Sequence, residues 1–204
     1  MRKVEVVPHN PEWHNLFKTE AKAIALALNA IAQTNESNVI DIHHIGSTAI
    51  PHIYAKPIID LLVEVKDINE VDRQNHLMEN LGYQAMGEYG ISGRRYFRKD
   101  NSLGTRTHHV HIFETNSPEI KRHLAFRDYM TAHPSEAQQY SNLKRKLAHQ
   151  YPHDIESYMD GKHDFIQNID RKAALEGKRA GGAGGAAYKG RFLTKGRVST
   201  LIYV

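Results

Sequence analysis

The residue in this chain that most clearly calls for chemistry is a carboxylate set inside an apolar run, Asp60 in IIDLLVEV, residues 58–65. Gly46-Ser47 stands upstream of it across a spacer of twelve residues, 48–59. A small-residue turn lets backbone N–H groups approach a phosphate, and a strand-borne carboxylate can hold a divalent cation beside it. Together they read as a metal-assisted phosphoryl-transfer site, with Gly46, Ser47 and Thr48 at the phosphates and Asp60 at Mg2+ or Mn2+. Lys56, just before Pro57, is placed to reach the same pocket or to serve as an ordinary loop lysine. Taken alone, Asp60 is equally compatible with a structural ion pair or a turn cap, since a buried carboxylate needs compensation of some kind.

Period-two geometry puts Asp60, Leu62 and Glu64 on one strand face. A two-metal site would want a second acid at position 62, and leucine cannot ligate. Glu64 lies roughly 6.6 Å further along and reads as a solvated strand end, an unpromising ligand. His109 and His111 form the next constellation, because i, i+2 spacing on a strand points both imidazoles the same way, for metal ligation or for proton transfer. In a chain with fourteen histidines the pair also fits an ordinary polar strand face. Their strand resembles that of the histidine-triad nucleotide hydrolases and transferases, but the third histidine would fall at Phe113. The segment GRRYFRK, residues 93–99, offers Arg94 and Arg95 for bidentate phosphate contact and Tyr96 or Phe97 for stacking on a base, or else is a plain charged hairpin.

These residues need a scaffold, and the sequence supplies one. Val4–Val7 reads as a short strand, followed by a helix capped by Asn10 with Pro11 in its first turn, and an apolar stripe runs through Trp13, Leu16, Phe17, Ala21, Ile24, Leu28 and Ile31. Strands are expected over 39–45, 58–65 and 107–114, with two more over 83–99 joined near Gly90–Gly93. Asp67 and Glu70 open a helix running to about Leu81 that Gly82 ends. Residues 117–175 carry helical spacing through three segments. From Glu176 the chain is Gly- and Ala-rich, with seven of its fourteen glycines, and is expected to be a disordered tail or an extension foreign to the native protein. The organisation expected is one domain over 1–175, an α/β core (1–116) with a helical extension (117–175), and a tail over 176–204.

Composition narrows the function classes. Residues 1–175 hold 21 Lys/Arg against 22 Asp/Glu, so the net charge of +4 comes from the tail, which holds six against one. A basic face for nucleic acid is therefore not supported. There is no cysteine, hence neither disulfide nor thiolate metal site. No apolar run approaches membrane-spanning length and no signal-peptide core opens the chain, which makes a cytoplasmic protein without membrane contact the expectation.

HHIGSTAIPHIYAKPIIDLLVEV (43–65), the His109/His111 strand, LAFRDYMTAHPSEAQQYSNLKRKLA (124–148) and YMDGKHDFIQNI (158–169) closely resemble the GrpB-like family of bacterial proteins over about residues 3–172. The resemblance implies a nucleotidyltransferase-like mixed sheet flanked by helices, with a C-terminal helical extension. It also implies NTP and Mg2+ binding through Gly46, Ser47 and Asp60. Family members occur alone or joined to other domains, including dephospho-CoA kinase. Three functional readings follow. The first is a metal-dependent nucleotidyl or related phosphoryl transferase acting on NTP and an acceptor, with His109 and His111 as ligands or acid/base. The second is a catalytically degenerate module that binds a nucleotide, another phosphorylated small molecule or a partner. The third is a Zn2+ or Ni2+ site built from His109, His111, Asp60 and either His43 or His44.

Overall fold

A computed structural model describes residues 3–29 and 37–180. After an isolated bridge between Val7 and Ala55, the elements are α1 (Glu12–Asn29), β1 (Val39–Ile45), a short 3-10 turn (Ser47–Ala49), β2 (Ile59–Val65), α2 (Ile68–Arg73), α3 (Asn75–Asn80), β3 (Tyr83–Ala85), β4 (Arg95–Asp100), β5 (Arg106–Glu114), α4 (Pro118–Ala132), α5 (Pro134–Gln150) and α6 (Ile155–Ala180). The strands form one sheet in the order β1-β2-β5-β4-β3, in which β2 and β5 are parallel and every other pair is antiparallel. This is the expected mixed sheet flanked by helices, with a helical C-terminal extension.

The two faces of the sheet are built differently. Leu61, Val63, Val65, Phe97, Val110 and Ile112 pack against Trp13, Ile24 and Leu28 of α1 and against Val71 and Met78 of α2 and α3. The other face carries Ile45, Leu62 and Phe113, which meet Ile120 and Leu124 of α4. A separate apolar cluster, including Ile50, Ile53, Met130, Tyr140, Ile166 and Ile169, joins α4, α5 and α6 to the loop after the 3-10 turn. Central strand β2 is buried along nearly its whole length, which explains its continuous apolar run.

Local signals mostly hold. The Asn10 Oδ1 accepts from the Glu12 amide at 3.0 Å and caps α1, and Asp67 caps α2 by accepting from the Asn69 amide. Three expectations change. Val4–Val7, expected as a strand, contributes only the isolated bridge from Val7 to Ala55, whereas the two strands expected over 83–99 form as β3 and β4. The single helix expected over 67–81 divides at Gln74, which is buried and extends neither half. Helix α6 continues to Ala180, five residues past the expected boundary, because its register carries Ile169 and Ala173 in the core and then simply runs on. Ile31 and the rest of the expected tail lie outside the described residues. Among those described, no helix is long and apolar enough to cross a membrane.

Candidate functional site

Asp60 opens the site, near the start of β2 on the face that the helical extension covers. Parallel pairing sets it directly beside His109 of β5, so that His109 Nδ1 lies 2.9 Å from Asp60 Oδ1. On its other flank β1 ends at Ile45 and the chain turns through Gly46 (φ +70°, ψ −171°) into the 3-10 turn. That backbone region excludes ordinary side chains, and a Cβ on Gly46 would stand 2.2 Å from Asp60 Oδ2. Gly46 is thus the residue that lets the turn lie on the carboxylate. Gly46→Ala is expected to cost about 2 kcal/mol or more, read as a lowered Tm, since both the backbone and the contact must give.

The helical extension brings what the sequence reading missed. Ser47, Lys56, Asp60, Lys144 of α5 and Tyr158 and Lys162 of α6 line one cleft. Lys144 and Lys162 are only 2% and 1% exposed, yet they are lysines. The Lys144 Nζ sits 4.4 Å from the Tyr140 ring centre and the Lys162 Nζ 4.8 Å from that of Tyr158. Neither the Lys144 Nζ nor the Tyr158 hydroxyl has a hydrogen-bond partner. Burial, with Lys56 nearby, lowers Lys144 to about 7 against the pull of Asp60. Lys162 is lowered well below its ordinary value by burial first and then by Lys56 and Lys144. Asp60 moves the opposite way, pushed up to about 7 by burial and held back by Lys56, Lys162, His108 and Lys144. A signal for the lysines existed: Tyr140, Lys144 and Leu147, like Tyr158, Lys162, Ile166 and Ile169, share one helical stripe, so each lysine occupies a core position.

The other expected residues divide between the two faces. Ser47 lines the cleft, beside the Tyr140 phenol. Thr48 is buried: its hydroxyl donates to the Ile58 carbonyl and contacts His44 Nε2 at 3.0 Å, which leaves it a brace for the turn and not a phosphate ligand. His111 shares the face of Asp60 but stands beside Leu62, where Arg94 donates to its Nδ1 at 3.3 Å. Arg94 itself is buried, donating also to the Glu88 and Tyr89 carbonyls and stacking over Tyr96, so it holds a loop to the sheet. Arg95 emerges on the opposite face in a bidentate pair with Asp72 at 2.6 and 2.7 Å. Neither arginine is brought to Asp60. Tyr96 and Phe97 are both buried and closed to a stacking base. Glu64 accepts from Thr115 at the far end of β2.

Metal fit follows from these donors. Mg2+ and Mn2+ want several hard oxygens in octahedral array, whereas here one carboxylate faces lysines and Leu62 holds the position of the second acid. Zn2+ or Ni2+ wants three or four converging ligands, and among the described residues no three His, Asp or Glu side chains form such a group. His44 is stacked on Phe17 of α1, on the opposite face of the sheet from Asp60, and His43 lies beside Leu62, 3.5 Å from Asp41. The donor set does not fit a metal held by this chain alone.

A second, shallow cleft shares Ser47 with the first and includes Gly46, Arg122, His123 and Phe126. Arg122 is paired with Glu119 at 2.8 Å and Asp170 at 3.5 Å, and burial, followed by Arg122, keeps His123 well below its ordinary value.

A profile described as GrpB protein matches residues 3–172. The chain belongs to the GrpB family. Its relatives include UPF0157 protein YqkA of Bacillus subtilis, 43% identical over 185 residues, covering 91% of this chain and 51% of that protein. Glutamate-rich protein GrpB of Alkalihalophilus pseudofirmus is 35% identical over 170 residues, covering 82% and 94%. The chain thus spans about half the length of YqkA and nearly all of the second relative. Among solved structures, conserved protein GrpB from Enterococcus faecalis superposes with a TM-score of 0.77 at 43% identity, covering 84% of this chain and 98% of that one.

Proposed function

We propose that this GrpB-family protein binds a nucleoside triphosphate, or another small molecule bearing linked phosphates, in the lysine-lined cleft and acts as a nucleotidyltransferase-like enzyme on an acceptor. The observation that carries this is Lys144: a side chain with three donors, fully buried, without an acceptor, aimed into a cleft that holds a second buried lysine and the Gly46-Ser47 turn. Phosphate oxygens are the acceptors that such a cleft lacks. Asp60 and His109 form a carboxylate–imidazole pair suited to taking a proton from an attacking hydroxyl. The rest of the rate enhancement comes from positioning and from fixed positive charge at the phosphates.

Calorimetric titration of ATP, GTP, CTP and UTP into wild type and Lys144→Met tests the reading. Saturable binding to wild type that weakens at least about tenfold in the variant is expected, the share of one charge-assisted hydrogen bond. No binding to wild type by any nucleotide or by pyrophosphate would sink it. Leu62, standing where a second carboxylate would serve transfer, favours a second reading as a nucleotide-binding module without turnover. Tight binding with no pyrophosphate release across a panel of hydroxyl, amine and phosphate acceptors would select that reading.

A further inference from the structure

We infer that Lys144 and Lys162 stand in for the divalent cation, so that this cleft takes a polyphosphate in its free, unchelated form. The inference rests on the phosphate reading above and specifies the ionic state of the ligand. It starts from charge. When a phosphate draws protons onto both buried amines, Lys56, Lys144 and Lys162 against an ionised Asp60 leave a surplus of two positive charges, the charge of one Mg2+ ion. They are fixed on three separate elements, the loop before β2, helix α5 and helix α6, and they converge on one opening.

A metal-bound polyphosphate suits this opening poorly for two reasons. Its oxygens are already committed to the cation, so fewer remain for the Lys144 Nζ and the Tyr158 hydroxyl, both of which lack partners. The cation would also enter a largely water-excluded space beside two buried ammoniums, where like charges repel more strongly than in solvent. Asp60 offers it little in return, for its Oδ1 is engaged by His109 and its Oδ2 lies against Gly46. The rings of Tyr140 and Tyr158 flank the two amines in the empty cleft and offer a face to an ammonium without supplying a lone pair. Leucine at position 62 then has a reason: a second acid there would neutralise the charge on which binding depends.

The test is calorimetric titration of pyrophosphate and of tripolyphosphate into the full chain, once with EDTA and once with excess Mg2+, followed by the same titrations with Lys144→Met and Lys162→Met. Thermal melts establish that each variant is folded. Binding in EDTA that is equal to, or up to about tenfold tighter than, binding in Mg2+ is expected, with loss in both variants. Binding that appears only when Mg2+ or Mn2+ is present, and disappears in Asp60→Asn, would overturn the inference while leaving the phosphate reading intact. Absence of binding in both conditions would overturn both.

Discussion

A Lys162→Met variant is expected to melt several degrees above wild type and to lose about 100-fold in affinity for pyrophosphate. Both effects have one cause. Lys162 is 1% exposed, and burial drives its ammonium well below the ordinary lysine range, helped by Lys56 and Lys144 and opposed only by Asp60. Methionine keeps the apolar stem that packs near Tyr158 and removes an amine that folding must either strip of its proton or bury charged. Replacing poorly compensated buried charge by an apolar group of similar volume is often stabilising by about 1–4 kcal/mol. For a chain of this size each 1 kcal/mol moves Tm by about 2–4 °C. Binding runs the other way, because a hydrogen bond to a charged group is worth about 1.5–3 kcal/mol and Lys162 has more than one donor to offer. Differential scanning calorimetry and isothermal titration on the same preparation read both quantities. A variant that melts lower and binds as wild type would return Lys162 to a structural role. The opposed signs are informative in themselves, since a residue kept for packing would not improve stability on removal, whereas one kept for a ligand would.

How much of this was legible beforehand differs from residue to residue. Asp60 and the Gly46-Ser47 turn could be read because each breaks a local rule, a charge in an apolar run and a glycine at a strand end. That they touch could not be read, since the contact depends on the φ of +70° at Gly46 and on how β1 leaves the sheet. His109 was visible as half of an i, i+2 pair, but its partner was not. Only the parallel pairing of β2 with β5 sets position 109 beside position 60, and no local pattern encodes a register between segments 49 residues apart. The same pairing explains why His111 separates from the site: one period further on, its neighbour is Leu62 and its acceptor nitrogen is taken by Arg94. The basic segment 93–99 misleads for the same reason. At the entry to β4, Arg94 and Arg95 point to opposite faces of the sheet, where loop carbonyls and Asp72 satisfy them. Lys144 and Lys162 were legible in principle, because a lysine on the apolar stripe of a helix is a local conflict of the kind that marks function. They are easily passed over because the stripe is read by its apolar members.

The cleft also fixes a pH dependence whose sign can be worked out. Asp60 is raised from 3.8 to about 7 by burial, so its contribution to stability is fully present below pH 3.8 and is lost as the pH rises through 7, where the folded protein must ionise a buried acid. Lys144 is lowered from 10.5 to about 7, so its contribution is fully present above 10.5 and is lost as the pH falls through 7, where a buried amine must take up a proton. Lys162 acts in the same direction as Lys144. The Lys144 and Lys162 limb descends from the alkaline side, so the free protein should be less stable near neutrality than at alkaline pH, with the Asp60 limb opposing this on the acid side. Melting curves from pH 4 to 10 at constant ionic strength, taken for wild type, Asp60→Asn and the double variant Lys144→Met/Lys162→Met, isolate the effect as differences between profiles. Asp60→Asn should flatten the acid limb and the double variant the alkaline one; profiles parallel to wild type in both would rule the account out. Saturating pyrophosphate should offset the loss near neutrality, because ligand held by protonated lysines stabilises the folded state in proportion to its occupancy. The offset should fade as the pH rises and Lys144 loses its proton, since a neutral amine holds phosphate less tightly than an ammonium does.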